Sequence, residues 1–151
     1  MSKPILCLDF DGVIHSYASG WKGEDNIPDE PTLGAMKFIV EAVNHFDIAI
    51  FSTRSKSTQG IDAMRRWVRY WLHGYLSSLV IFPGAEGGLI PAIRAVEACI
   101  SYPTEKPLAF VTLDDRAITF EGVWPSVESL LNFKPWYKRE SEAKSAATGT
   151  G

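Results

Sequence analysis

A chain of 151 residues, 46% hydrophobic and 22% charged, has the length for one domain with a buried core and is too apolar for a disordered one. Its net charge of -3 gives no overall pull toward nucleic acid or an anionic membrane, though a local basic face stays open. Cys7 and Cys99 both sit in apolar runs and no Cys/His spacing suits zinc, so a disulfide framework and a zinc module are excluded in favour of buried free thiols.

The opening Met1-Ser2-Lys3-Pro4 leads straight into an apolar run, without a signal-peptide core, and no apolar stretch is long enough to span a bilayer. A soluble, cytoplasmic protein is expected. His15, His45 and His73 are scattered and read as surface or capping residues rather than ligands.

In chain order, Ile5 to Leu8 is a continuous apolar run ending at Asp9, the pattern of a strand buried on both faces. His15 to Pro31 reads as a loop broken by Gly20, Gly23, Pro28 and Pro31. Thr32 reads as the N-cap of a helix whose apolar face is Leu33, Met36, Ile39, Val40 and Val43. Ile48 to Phe51 is a second buried strand, closed by Ser52-Thr53-Arg54. A second helix is expected over Thr58 to Leu76, with Trp67 and Trp71 in the core and Arg65, Arg66 and Arg69 on a solvated face.

Phe82 to Gly88 reads as a glycine-rich loop, and Pro91 suits the first turn of a helix through Ala98. Short strands are expected at Ile100 to Tyr102 and Ile118 to Phe120, and a longer one from Leu108 to Leu113, ending at Asp114-Asp115. A helix follows from Ser126 to about Asn132. Trp136 to Arg139 reads as a docking segment, and Ser141 to Gly151 as a disordered tail. Strands alternating with helices predict an α/β domain over 1–140 around a mostly parallel sheet, with 141–151 as the tail.

Parallel sheets gather ligands beyond the carboxyl ends of their strands. The polar groups there are Asp9 with Asp11, Ser52 with Thr53, and Asp114 with Asp115, while Lys106 lies just before the last strand. Several carboxylates crowded together are costly unless a cation holds them, and an all-oxygen donor set favours Mg²⁺ over zinc. A hydroxyl and a lysine beside such a metal suit a phosphoryl group. The Asp9/Asp11 spacing divides labour: one carboxylate attacks phosphorus and the other handles a proton. Gly12 allows the backbone to approach the phosphate closely.

Asp9-Phe10-Asp11-Gly12-Val13 after an apolar strand resembles the first motif of the haloacid dehalogenase-like (HAD) phosphatase superfamily. Ser52 resembles its second motif, Lys106 its third and Asp114-Asp115 its fourth, in the same order along the chain. The resemblance implies a Rossmann-like three-layer α/β/α sandwich. It implies Asp9 as nucleophile, Asp11 as general acid/base, and Ser52 and Lys106 as phosphate ligands, with Thr53 beside them. Mg²⁺ would be held by Asp9, the Asp11 backbone carbonyl and one of Asp114 or Asp115, with Asp115 favoured.

The short Val13 to Pro31 insert is similar to that of minimally capped members, and Phe82 to Ala98 departs from the shortest of them as an insertion. Ser52-Thr53-Arg54 and Asp114-Asp115-Arg116 are similar to segments of polynucleotide kinase-phosphatase phosphatase domains and of deoxyribonucleotidases. A phosphorylated small molecule or nucleic-acid end is therefore the expected partner, with no membrane. Tyr17 and Trp21 either flank the site or anchor their loop. The rival functions are a receiver-like phosphoacceptor, which lacks a suitable mid-chain Asp, and a non-catalytic Mg²⁺-binding module on the same fold.

Overall fold

The apolar run Ile5–Leu8 forms β1, the strand around which the sheet is built. The computed structural model describes residues 2–79 and 88–149. β1 pairs in parallel with β2 (Asp47–Ile50) on one side and with β4 (Val111–Leu113) on the other. β3 (Ile100–Ser101) pairs in parallel with β2, so the sheet order is β3-β2-β1-β4. An unbroken apolar strand is the expected occupant of an interior position, since side chains on both its faces leave water. Leu6, Cys7 and Leu8 are all buried.

The crossover from β1 to β2 carries α1 (Ala35–Ala42), which buries Met36, Ile39 and Ala42. After β2 come a short 3-10 helix (Thr53–Lys56) and then α2 (Thr58–Leu79). Along α2 the buried positions Ala63, Met64, Trp67, Val68, Leu72 and Leu76 recur at helical spacing. Met64, Trp67, Val68 and Leu72 join Leu6, Leu8, Ile48 and Ile50 in one apolar cluster with Met36 and Ile39. Val96 of α3 (Leu89–Glu97) completes it. Arg65, Arg66 and Arg69 are exposed, as expected of a solvated face.

Several expectations need correction. Thr32 does not cap α1. Its hydroxyl donates to the Val13 carbonyl (2.6 Å) and its N–H to the Ile14 carbonyl (2.9 Å), which ties it to the turn after β1. Gly34, at φ +82°, precedes the helix instead, and Leu33 is fully exposed rather than on the apolar face. Leu108 is also exposed and β4 spans only its last three residues, while Ile118 to Phe120 is not a strand. β-propensity alone produces no strand where no neighbour supplies a ladder. The loop read over 82–88 lies, up to residue 87, outside the described residues, as does that part of the expected insertion.

The chain divides into two compact units, Met1–Leu113 and Asp114–Gly151, where the sequence pattern suggested one domain through residue 140. The second unit holds α4 (Val127–Leu131), capped by Ser126, whose hydroxyl accepts the Ser129 N–H, and α5 (Trp136–Thr148). α5 takes in Ser141 to Thr148, which composition assigned to a tail. The architecture is α/β with a four-stranded, all-parallel sheet, compatible with a Rossmann-like fold. No helix among the described residues is long and apolar enough to cross a membrane.

Candidate active site

The chain steps outward from β1 to β2 to β3 and then returns to the far side of β1 as β4. Strand order reverses at β1, and in open parallel sheets a crevice forms beyond the carboxyl ends at such a point. Leu8 of β1 is in register with Leu113 of β4 and with Ile50 of β2. Asp9 continues the ladder by one step, its N–H donating to the Leu113 carbonyl at 3.0 Å. Its carboxylate accepts the next N–H, that of Phe10, at 2.8 Å.

Beyond Asp9 the backbone turns sharply. The Phe10 carbonyl accepts N–H groups from Val13, Ile14 and His15 at 3.0 to 3.2 Å. Gly12 stands inside this turn at φ +81°, a left-handed conformation that side chains with a Cβ rarely adopt. The turn delivers Asp11 and His15 to one place.

Asp11 is held by two side chains. The Arg54 guanidinium donates through Nε to Oδ1 and Oδ2 (3.2 and 3.0 Å) and through Nη2 to Oδ1 (3.1 Å). His15 Nδ1 lies 2.8 Å from Oδ1. Arg54 is wholly buried, and its Nη1 donates to the carbonyls of Gly23, Glu24 and Asn26. One guanidinium thus ties the turn after β1, the 23–26 loop and the segment after β2. Its flat face lies 4.6 Å from the centroid of the half-exposed Trp21 ring, a cation–π contact. Trp21 therefore anchors its loop on Arg54 while keeping an open face.

His15 is fully buried, contrary to its expected surface position. Its ring packs against Phe10, Tyr17 and Trp67 at centroid distances of 5.6 to 6.1 Å. Tyr17 holds a left-handed φ of +60° there. His15 Nε2 accepts the Asp29 N–H at 3.2 Å, and the Asp29 carboxylate accepts the Ser19 N–H at 2.8 Å. Burial pushes the Asp29 carboxyl up, but the Ser19 hydrogen bonds, with the charge of Lys22, outweigh it and leave the group below its ordinary value.

Ser52 is buried two residues past the end of β2. Its hydroxyl accepts the Arg54 N–H (3.0 Å) while the Ser55 hydroxyl accepts the Ser52 N–H (3.1 Å), a capping box on the 3-10 helix. The Ser52 hydroxyl also faces the Met64 sulfur at 3.5 Å. Thr53 is exposed. Lys106 is exposed on the connection from β3 into the amino end of β4, and it is not part of the hydrogen-bonded group around Asp11.

No protein-family model, curated protein or solved structure matches this chain. The chemistry must therefore be read from the side chains themselves.

Asp114 and Asp115 directly follow β4 and open the second unit. Within that unit Asp114 accepts the Arg116 N–H at 2.8 Å, and Asp115 accepts the Tyr137 hydroxyl at 3.1 Å. Burial raises the Tyr137 hydroxyl above its ordinary value; Arg116 opposes this and the Asp115 carboxylate adds to it. The residues that sequence reading passed over are Arg54, as the partner of Asp11, and His15. A buried charge and a buried imidazole leave no periodic signature, and only their four- and 43-residue separations from Asp11, closed by the fold, reveal them.

Proposed function

We propose that the chain is a Mg²⁺-dependent phosphomonoesterase of the HAD-like type, acting through an aspartyl-phosphate on Asp9. The observation that carries this reading is the parallel register of β1 with β4. Asp9 follows the residue paired with Leu113, and Asp114-Asp115 follow Leu113 itself. A carboxylate at each of these chain positions would offer an oxygen to a cation, and an all-oxygen donor set suits Mg²⁺. Bound there, the cation would neutralise phosphate oxygens and lower the cost of bringing an anionic nucleophile to an anionic substrate.

In the first step an Asp9 oxygen bonds to phosphorus as the phosphorus–oxygen bond to the leaving group breaks, and Asp11 gives that oxygen its proton. In the second, water attacks the phospho-Asp9, Asp11 takes the water's proton, and Asp9 is regenerated with release of phosphate. One residue, Phe10, separates the attacking carboxylate from the proton-handling one, and Gly12, at φ +81°, lies in the turn that follows. Ser52, Thr53, Gly12 and Lys106 are the proposed phosphate contacts. Ser52 would have to share its hydroxyl with the cap it already makes. Nucleotides or polynucleotide 3′-phosphate ends are the proposed substrates.

Phosphate release from aryl phosphates, nucleotides and 3′-phosphorylated oligonucleotides, with Mg²⁺ and with chelator, tests the proposal. Turnover that requires Mg²⁺ and disappears in Asp9→Asn is the expected result. Turnover retained in Asp9→Asn would remove the aspartyl-phosphate, and none on any substrate would remove the enzyme.

A further inference from the structure

Asp11 is not evenly solvated by its neighbours. Oδ1 faces three donors: His15 Nδ1 at 2.8 Å, Arg54 Nη2 at 3.1 Å and Arg54 Nε at 3.2 Å. Among the described residues Oδ2 faces one, Arg54 Nε at 3.0 Å. A carboxylate oxygen offers about two lone-pair sites, so Oδ1 is saturated and Oδ2 keeps an open one.

His15 is built to hold this asymmetry. The ring is fully buried, boxed by Phe10, Tyr17 and Trp67, and so has one orientation. At its far end the Asp29 N–H can only donate, so Nε2 is an accepting nitrogen and the ring proton belongs on Nδ1, aimed at Asp11. The Asp29 carboxylate stands farther from Nε2, at 3.5 Å, and is engaged by Ser19. Arg54 addresses Asp11 rather than the imidazole.

We propose that His15 is a positioning residue: it holds Asp11 by Oδ1 so that Oδ2 is the oxygen through which the proton passes to and from the reacting group. This rests on the phosphatase reading and adds to it a residue that touches neither substrate nor metal. The Arg54 fork reaches both oxygens of Asp11, whereas the His15 bond goes to Oδ1 and so distinguishes the two.

Two substrates separate positioning from mere folding. Loss of a general acid matters for a poor leaving group and little for a good one, because only the poor one must be protonated as it departs. Nitrophenyl phosphate and glycerol phosphate supply the two cases. Asn places its amide nitrogen as many bonds from Cα as His places Nδ1, while Gln reaches as far as Nε2. His15→Gln is expected to slow glycerol phosphate by about 100-fold, the lower range for a general acid, and nitrophenyl phosphate by less than about 5-fold. His15→Asn, with its donor on Asp11 restored, is expected to recover most of the loss.

Equal losses on both substrates, or an Asn variant no better than Gln, would overturn the positioning role while leaving the phosphatase intact. Wild-type protein inert toward both substrates would instead bring down the phosphatase reading and this role with it. Should the buried substitutions prevent folding, the unaltered protein still decides. A long-range ¹H–¹⁵N correlation spectrum should show the His15 proton on Nδ1, and an Nδ1 without one would overturn the proposal.

Discussion

Arg54 is a cation with no exposed surface, and its donors are matched by Asp11 and three backbone carbonyls. Such a group contributes little net stability as a pair, yet removing one partner strands the other. Arg54→Met should therefore lower unfolding stability by about 3–5 kcal/mol in urea titrations. Arg54→Lys should lose much of the same amount, because one ammonium cannot reproduce a planar fork. Asp29 gives a pH signature. Its folded carboxyl lies below the ordinary value, so its contribution is present above about pH 4 and fades as pH falls through the lowered folded value. The urea midpoints of wild type and Asp29→Asn should differ at pH 7 and converge toward pH 3, the direction opposite to that of a group raised on folding.

At the scale of elements, α2 and the segment before it are packed backbone to backbone. A Cβ at Gly60 would overlap the Arg54 carbonyl, which no rotamer change can relieve. Gly60→Ala should therefore destabilise by about 1–3 kcal/mol despite the better helix propensity of alanine, and should shift Arg54 away from Asp11. A melting curve beside turnover of an alkyl phosphate checks both effects. Leu72, wholly buried on the same helix, should cost about 2–5 kcal/mol as Leu72→Ala with little change in metal dependence. α2 was legible because its apolar residues repeat at helical spacing over 22 residues. The start of α1 is not legible in the sequence, because Thr32, a residue type that caps helices, bonds instead to Val13, 19 residues away.

For the whole molecule, the apolar cluster and the partly buried apolar residues packed against it lie, among the described residues, between Leu6 and Tyr102. A chain ending at Leu113 should therefore still unfold cooperatively, followed through the near-ultraviolet signals of Trp67 and Trp71, while losing the phosphate release that Asp114 and Asp115 are proposed to support. A non-cooperative transition would show that the first unit needs the second.

Sequence by itself determined the α/β alternation, the buried β1 and β2, the helix carrying Trp67, and the placing of Asp9-Asp11 and Asp114-Asp115 at strand ends. Each of these is written in neighbouring residues, as an apolar run or a repeat that has only one way to leave water. Tertiary structure alone decided that β4 lies beside β1, that Ser52 is a buried cap and Thr53 exposed, and that Arg54 and His15 close on Asp11. Those depend on contacts between residues distant along the chain, and on the cost of burying a charge or an imidazole without a partner, which selects one arrangement only once the core has brought the partners together.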